Sequence, residues 1–495
     1  MKPLSLTLFW ALLSALLWSE ESFSLLVYNV ENLFDADGVA LFEDYREEET
    51  PNPQPYGPRK LLTKLDNIAR VLSAVDDGAG PDIAVFSELE FDRTPGGEPP
   101  DYSALAARYA ELTVEDMLVE ELDGEIRDLP VEFLLWKHFM EMGMGDYFFT
   151  IQAARPITEE VEAHTNAVFS RFPITEVRSH ALVDARDILE VTLEVHGHPL
   201  VIFANHWKSG ASNVEREPIR IQNAEVLRGR IDALLAEDRL ADFIVAGDLN
   251  SNYNQNFTLN LEKTGIRNVL LSQGDELAIR FRDPPPLYNL WFELPPERRF
   301  AEVWRGTYST LMHILLPAGL YDRSGIQYVD GSFRQVILPG VNARPPGMHP
   351  IRWYFAGEAG GGFSDHLPLL AEFRVVENPM PGFMELRNPS RTAEGSRVRF
   401  RPPEGPAGIN TTRRVRELRG LSPEELAEYY GEAFQVTGRL ISRDPLQVRT
   451  VGRTYDLYVP DREKFARLQG MEMNSRIRFI GVLGEYRGRV QLVME

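Results

Sequence analysis

The 495-residue chain contains no cysteine. That absence excludes disulfides, thiolate metal sites and thiol nucleophiles together. A bound metal must then rest on oxygen or imidazole, which favours Mg2+, Mn2+ or Ca2+ over structural zinc. Long apolar runs are also scarce, and the one of note spans Leu4 to Trp18. Preceded by Lys2 and followed by small and polar residues, it has the layout of a secretory signal peptide, expected over residues 1–21 with cleavage near Ser19 to Ser22. The run falls short of the ~20 residues needed to cross a bilayer. No cysteine follows it for lipid attachment. The expectation is an exported chain, periplasmic or secreted, with no membrane-spanning segment after cleavage.

Positive charge is in deficit. Lys and Arg number 52 against 74 Asp and Glu, a formal net charge of −22. This argues against adsorption of the whole molecule to a polyanion. The deficit is uneven, however. Residues 390–495 carry 19 basic and 14 acidic residues, and 18 of the 19 are arginine, whereas the rest holds 33 against 60. The tail is chemically distinct from the body.

Short apolar runs recur and end in polar residues: FSLLVYNV, DIAVFSELE, HPLVIFANHW and ADFIVAGDLN. They read as buried strands. Between them, Arg59–Val75 and Arg216–Glu237 show apolar residues at three- and four-residue spacing, which predicts helices. Strands alternating with helices predict an α/β layered architecture over residues 22–375. An acidic, helix-like stretch lies between Asp101 and Gly145; its role is not legible from the sequence, an insertion shaping a cleft being one reading. Residues 376–432 read as linker. From residue 433 to 495, three strands, a short helix (DREKFARL) and two strands follow the order of an OB-like barrel.

Carboxylates and amides gather where the predicted strands stop: Asn29 and Glu31, Glu88, Asp248 and Asn250, and Asp365 with His366. Strand ends are where sites form in α/β sheets. Hard divalent cations take anionic oxygen ligands, and a metal is also how an acidic body accommodates an anionic phosphodiester. Each short motif alone has an ordinary explanation as a turn or cap. Their joint order is what is specific.

YNVEN (Tyr28–Asn32), FSELE (Phe86–Glu90), NHWKS (Asn205–Ser209), VAGDLNS (Val245–Ser251) and FSDHLPL (Phe363–Leu369) resemble the ordered motifs of the endonuclease/exonuclease/phosphatase superfamily, with TNAVFSRFPI (Thr165–Ile174) resembling a family strand. The resemblance implies a four-layered α/β sandwich with its cleft at the strand ends. It implies Glu88 as principal metal ligand, with Asn29 and Glu31 beside it and Asp365 close to the ion. It makes His206 and His366 catalytic histidines, Asp248 the group that orients or deprotonates water, and Asn250 a phosphate holder. Asn205 and Lys208 are further candidates for phosphate binding, although a surface lysine is an equal reading of Lys208. One departure stands out. The family carries an aspartate in a Leu-Asp-His-Ile-Leu strand, where it orients the last histidine, and here STLMHILLP places Met312 there. His366 is then oriented by another group, or works less well.

The resemblance fixes the bond class better than the substrate. Nucleic acid is favoured because barrel arginines interleave with aromatics, as on single-strand-binding grooves; Arg439, Arg453, Arg478 and Arg487 are the candidate contacts. A lipid phosphodiesterase, a phosphoinositide phosphatase and a non-catalytic nucleic-acid-binding protein remain alternatives.

Overall fold

The computed structural model describes residues 21–37, 56–91, 100–119, 124–376, 382–383 and 413–494, apart from 154–155, 158–159, 162–163, 305, 346, 355–356, 423–424, 427–428, 431, 460–461 and 487–488. The expected signal segment therefore lies outside the described residues except for Glu21, whose carbonyl accepts the Val375 N–H at 3.0 Å.

Two seven-stranded sheets form the body. In the first, Ser22–Leu33 lies parallel to Ile83–Glu90 and antiparallel to Leu369–Val376. In the second, Phe243–Asp248 runs parallel to His198–His206 and antiparallel to Met312–Leu316. The alternation of side chains along a strand explains how they stack. Leu25, Val27, Val85, Ile202, Ala204, Ala246 and Ile314 face each other in one core between the sheets. The opposite parity faces helices. Tyr28 and Phe86 meet the helices Pro58–Leu72 and Val131–Glu141, while Phe203, Val245 and Leu315 meet Glu217–Glu237. Helix, sheet, sheet, helix is the expected four-layered sandwich.

The stretch between Asp101 and Gly145 contributes to the core. Val114, Met117, Phe133, Leu134 and Phe139 from it are buried in the core beneath the first sheet. Its acidic residues mask an apolar face that a charge-led reading of the sequence passes over.

At the C-terminal end, Ala433–Arg443, Leu446–Thr450, Arg453–Tyr458, Arg489–Met494 and Arg476–Tyr486 pair in that order, and the last pairs back with the first. The result is a closed five-stranded barrel, with the helix Arg462–Gln469 between Arg453–Tyr458 and Arg476–Tyr486 along the chain. Part of the expected linker belongs to it. Val415, Leu418, Leu426 and Tyr430 are buried in the barrel core, so the packed unit begins at least as early as Arg413. Four apolar residues scattered among charged ones give no clear period, which is why this segment reads as connection. Among the described residues, no helix is long and apolar enough to cross a membrane.

Candidate active site

The parallel register sets Asp248 beside His206, and the antiparallel register on the other side sets it opposite Met312. Gly247 makes this close approach feasible: its φ is +121°, and a Cβ there would collide with the Asn205 carbonyl. The second sheet thus delivers His206 and Asp248 to one edge. The first delivers Asn29 and Glu88 to the facing edge, since Asn29 and Ser87 are register partners.

These groups meet. Asn29 Nδ2 donates to Glu88 Oε1 at 2.9 Å and to Asp248 Oδ2 at 3.2 Å. His206 Nε2 lies 3.8 Å from Glu88 Oε1 and 3.9 Å from Asp248 Oδ2. His366 Nε2 lies 3.7 Å from Asp248 Oδ2 and 3.6 Å from Asp365 Oδ1. Asn250 N–H donates to Asp248 Oδ1 at 2.8 Å, and Asn250 Nδ2 donates to the Trp207 carbonyl at 3.1 Å. Glu31, Asn32, Glu88 and Asn250 all hold a left-handed backbone, with φ of 53°, 63°, 69° and 47°. Such conformations cost on the order of 1–3 kcal/mol each and cluster at functional sites.

Burial and mutual charge set the protonation pattern. Burial and then Asp365 raise the Glu88 carboxyl. Burial holds the His206 imidazole well below its usual value, with Arg186 adding to the effect. For His366 burial acts downward too, but Asp365, Asp248 and Glu302 outweigh it and lift the ring to about 9. The site therefore keeps one histidine neutral and the other charged, a separation suited to acid and base roles.

Two candidates fall elsewhere. Asn205 is fully buried on the helix side of its strand, next to Phe203 and Trp207 and one position out of phase with His206. Its Nδ2 donates to the Phe203 carbonyl at 2.8 Å, and its Oδ1 accepts from Trp207 Nε1 at 3.0 Å. It is a structural residue and not a phosphate ligand, because a strand cannot present neighbouring side chains to one face. The Lys208 ammonium is taken by Asp184 at 2.9 Å, the surface-lysine reading. Glu31 is near the cluster yet already bound: Arg352 donates to Oε1 at 2.8 Å and Trp353 N–H to Oε2 at 2.6 Å. As placed, it anchors Arg352, which also reaches Asp365 Oδ2 at 3.4 Å.

Three participants were not visible in the sequence. Lys64 is fully buried beneath the site and donates to the carbonyls of Phe363 at 2.7 Å and Glu31 at 3.2 Å. A lysine on the apolar face of a predicted helix was a signal for it. Arg352 and Glu302 sit in irregular or short segments that carry no periodic cue. His313 is structural, with Nε2 on the Ser251 carbonyl at 2.7 Å and Nδ1 facing Asn289 at 3.1 Å.

The donor set fits a hard divalent cation. Glu88, Asp248 and Asp365 are carboxylates and Asn29 an amide, no thiolate is present, and the nearby cations leave negative charge in excess. Glu302, Asp365 and His366 also each offer one donor atom within 4.8 Å of the other two. Glu88 and Asp365, with Asn29 alongside, are the residues that would hold such an ion.

Among the barrel candidates, Arg439 and Arg478 are exposed on the outer face. Arg453 is half-buried and donates to the Leu421 carbonyl at 2.7 Å, so it supports the barrel. Arg487 lies outside the described residues. Phe434 and Tyr455 are core, and Tyr458 is exposed.

Residues 165–375 match a sequence profile described as "Endonuclease/Exonuclease/phosphatase family". No curated protein is matched. Similar solved structures include truncated TDP2 from Caenorhabditis elegans, 13% identical, covering 71% of this chain and 97% of that one at a TM-score of 0.35. A family protein from Leptotrichia buccalis is 12% identical, covering 70% and 98% at 0.38. The human Nocturnin catalytic domain is 13% identical, covering 72% and 94% at 0.37. Scores this low carry no argument. The profile match spans the segments that carry His206, Asp248, Asp365 and His366, and over residues 165–375 the chain is similar to the endonuclease/exonuclease/phosphatase family.

Proposed function

We propose that this protein is an exported, divalent-metal-dependent phosphodiesterase acting on nucleic acid. The observation that carries the hydrolytic reading is the meeting of Asn29, Glu88, His206, Asp248 and His366 from both sheets, with polar atoms 2.9–3.9 Å apart. A dication held there would offset charge on the phosphate oxygens and favour ionised water. Asp248, fixed through Oδ1 by Asn250 N–H, turns Oδ2 toward both histidines. At that atom it orients the attacking water and takes its proton. Neutral His206 handles a proton at Nε2, and charged His366 meets the negative charge that builds on the phosphate. Asn250 Nδ2 has a second N–H for a phosphate oxygen.

The nucleic-acid reading rests on the barrel. Cross-strand register lines up Arg449, Arg439 and Arg476 directly opposite one another on three adjacent strands, with Arg478 facing Thr437 one step along. All four arginines are exposed. Like charges directly opposite destabilise a sheet. Among the described residues, the ion pairs of this region are Arg413–Glu432 and Arg489–Asp456, and neither relieves that row. A polyanion strand laid across it would.

The test is hydrolysis of plasmid, single-stranded DNA and RNA by the purified chain with Mg2+, beside sphingomyelin and phosphoinositide. Cleavage of nucleic acid that EDTA stops is the expected result. Cleaved lipid with intact nucleic acid would transfer the reading to a lipid phosphodiesterase, and salt-sensitive binding without turnover to a binding protein. Replacing Arg439, Arg449 and Arg476 by Gln together should lower the slope of log affinity for single-stranded DNA against log salt by about 2. An unchanged slope would remove the barrel from the substrate path.

A further inference from the structure

His366 is gripped on one side only. Its backbone N–H donates to Ser364 Oγ at 3.0 Å, and the ring Nε2 faces Asp248 and Asp365. Nδ1, on the other side of the ring, is buried and has no partner. Glu302 begins the short strand Glu302–Trp304 and forms an antiparallel backbone bridge with His366 itself. Glu302 is 9% exposed, and its Oε2 is likewise buried without a partner. A Glu302 oxygen and a ring nitrogen of His366 lie within 4.8 Å of each other. A buried carboxylate oxygen and a buried imidazole nitrogen, both unpaired and carried by bridged residues, are each costly to leave so. Position 312 does not compete, because the Met312 thioether faces the Asn29 N–H at 3.3 Å.

We infer that Glu302 is the positioning residue of His366, accepting a hydrogen bond from Nδ1–H and so holding Nε2 toward the phosphate. The inference rests on the proposed hydrolytic reading for its purpose, and on the two unpaired atoms for its existence. The two atoms are not hydrogen-bonded in the structure; catalytic hydrogen bonds often tighten only when substrate fills the site.

Two measurements on the full chain test it. The first needs no turnover: histidine-selective nitrogen-15 spectra should show a deshielded, exchange-protected Nδ1–H for His366 that is lost in Glu302→Gln and kept in Glu302→Asp. The second is kinetic, with Mg2+ and the nucleic-acid substrate. Glu302→Gln should lower kcat about 10- to 100-fold with KM nearly unchanged, the size of a lost charge-assisted hydrogen bond, and Glu302→Asp should recover most of it. The Mg2+ concentration for half activity should stay put. A protected proton without hydrolysis in the parent chain leaves the pairing standing and defeats the functional reading. An Nδ1 signal indifferent to Glu302→Gln overturns the pairing, as does a shifted Mg2+ requirement, which would make Glu302 a metal ligand.

Discussion

Glu88→Gln is expected to cut metal-dependent hydrolysis about 10²- to 10³-fold, the usual size for removing one electrostatic element of a preorganised site, while leaving the protein folded. Both oxygens of Glu88 accept hydrogen bonds, Oε1 from Asn29 Nδ2 at 2.9 Å and Oε2 from Asn32 N–H at 3.1 Å. Glutamine must turn its NH2 against one of these donors, at about 1–3 kcal/mol. The change also deletes a negative charge that burial and Asp365 already strain. The two effects oppose each other, so the thermal midpoint should move little. Activity should fall by that factor all the same, because the deleted charge is the one a cation needs. Removal of Mg2+ from the parent chain should reproduce the variant's phenotype. If Glu88→Gln hydrolyses at the parent rate with an unchanged Mg2+ requirement, the metal does not sit at Glu88 and the assignment of this cleft fails.

What the sequence disclosed and what it concealed follow from chain separation. Asn29, Glu88, His206 and Asp248 were legible because each lies in the C-terminal half of a strand, and α/β sheets converge at strand ends; His366 was legible through its motif, just before the strand Leu369–Val376. The closed barrel was legible because its strands alternate and its helix falls at the expected place. Glu302 and Arg352 were not: they enter the site through loops and a three-residue strand, where no period marks a side chain's direction. Asn205 misled because it neighbours His206 in sequence, and a pleated strand sends neighbours to opposite faces. The arginine row shows the same point from the other side. Arg449, Arg439 and Arg476 are ordinary surface residues until cross-strand register sets them in line.

The largest effect on folding is expected away from the cleft, at Glu217→Ala. Arg220 is fully buried, and Glu217, one turn before it on the helix Glu217–Glu237, is 2% exposed. Glu217 Oε2 accepts from Arg220 Nε at 2.9 Å, and its Oε1 accepts the Gly265 N–H at 3.0 Å. The guanidinium then reaches the carbonyls of Lys208 and Gly210 at 3.3 Å, tying down the segment that follows His206. Truncating Glu217 leaves a cation in the interior with carbonyls alone for company. Removing one partner of such a pair costs about 3–5 kcal/mol, a large part of the ~5–15 kcal/mol that holds a typical protein folded. Urea unfolding should show a lower midpoint at constant slope. Pairing the change with Arg220→Met should return much of the loss, since an apolar replacement for both partners removes the stranded charge. Additive losses in the double variant would mean that the two residues act separately, and that the turn after His206 is held by something other than this ion pair.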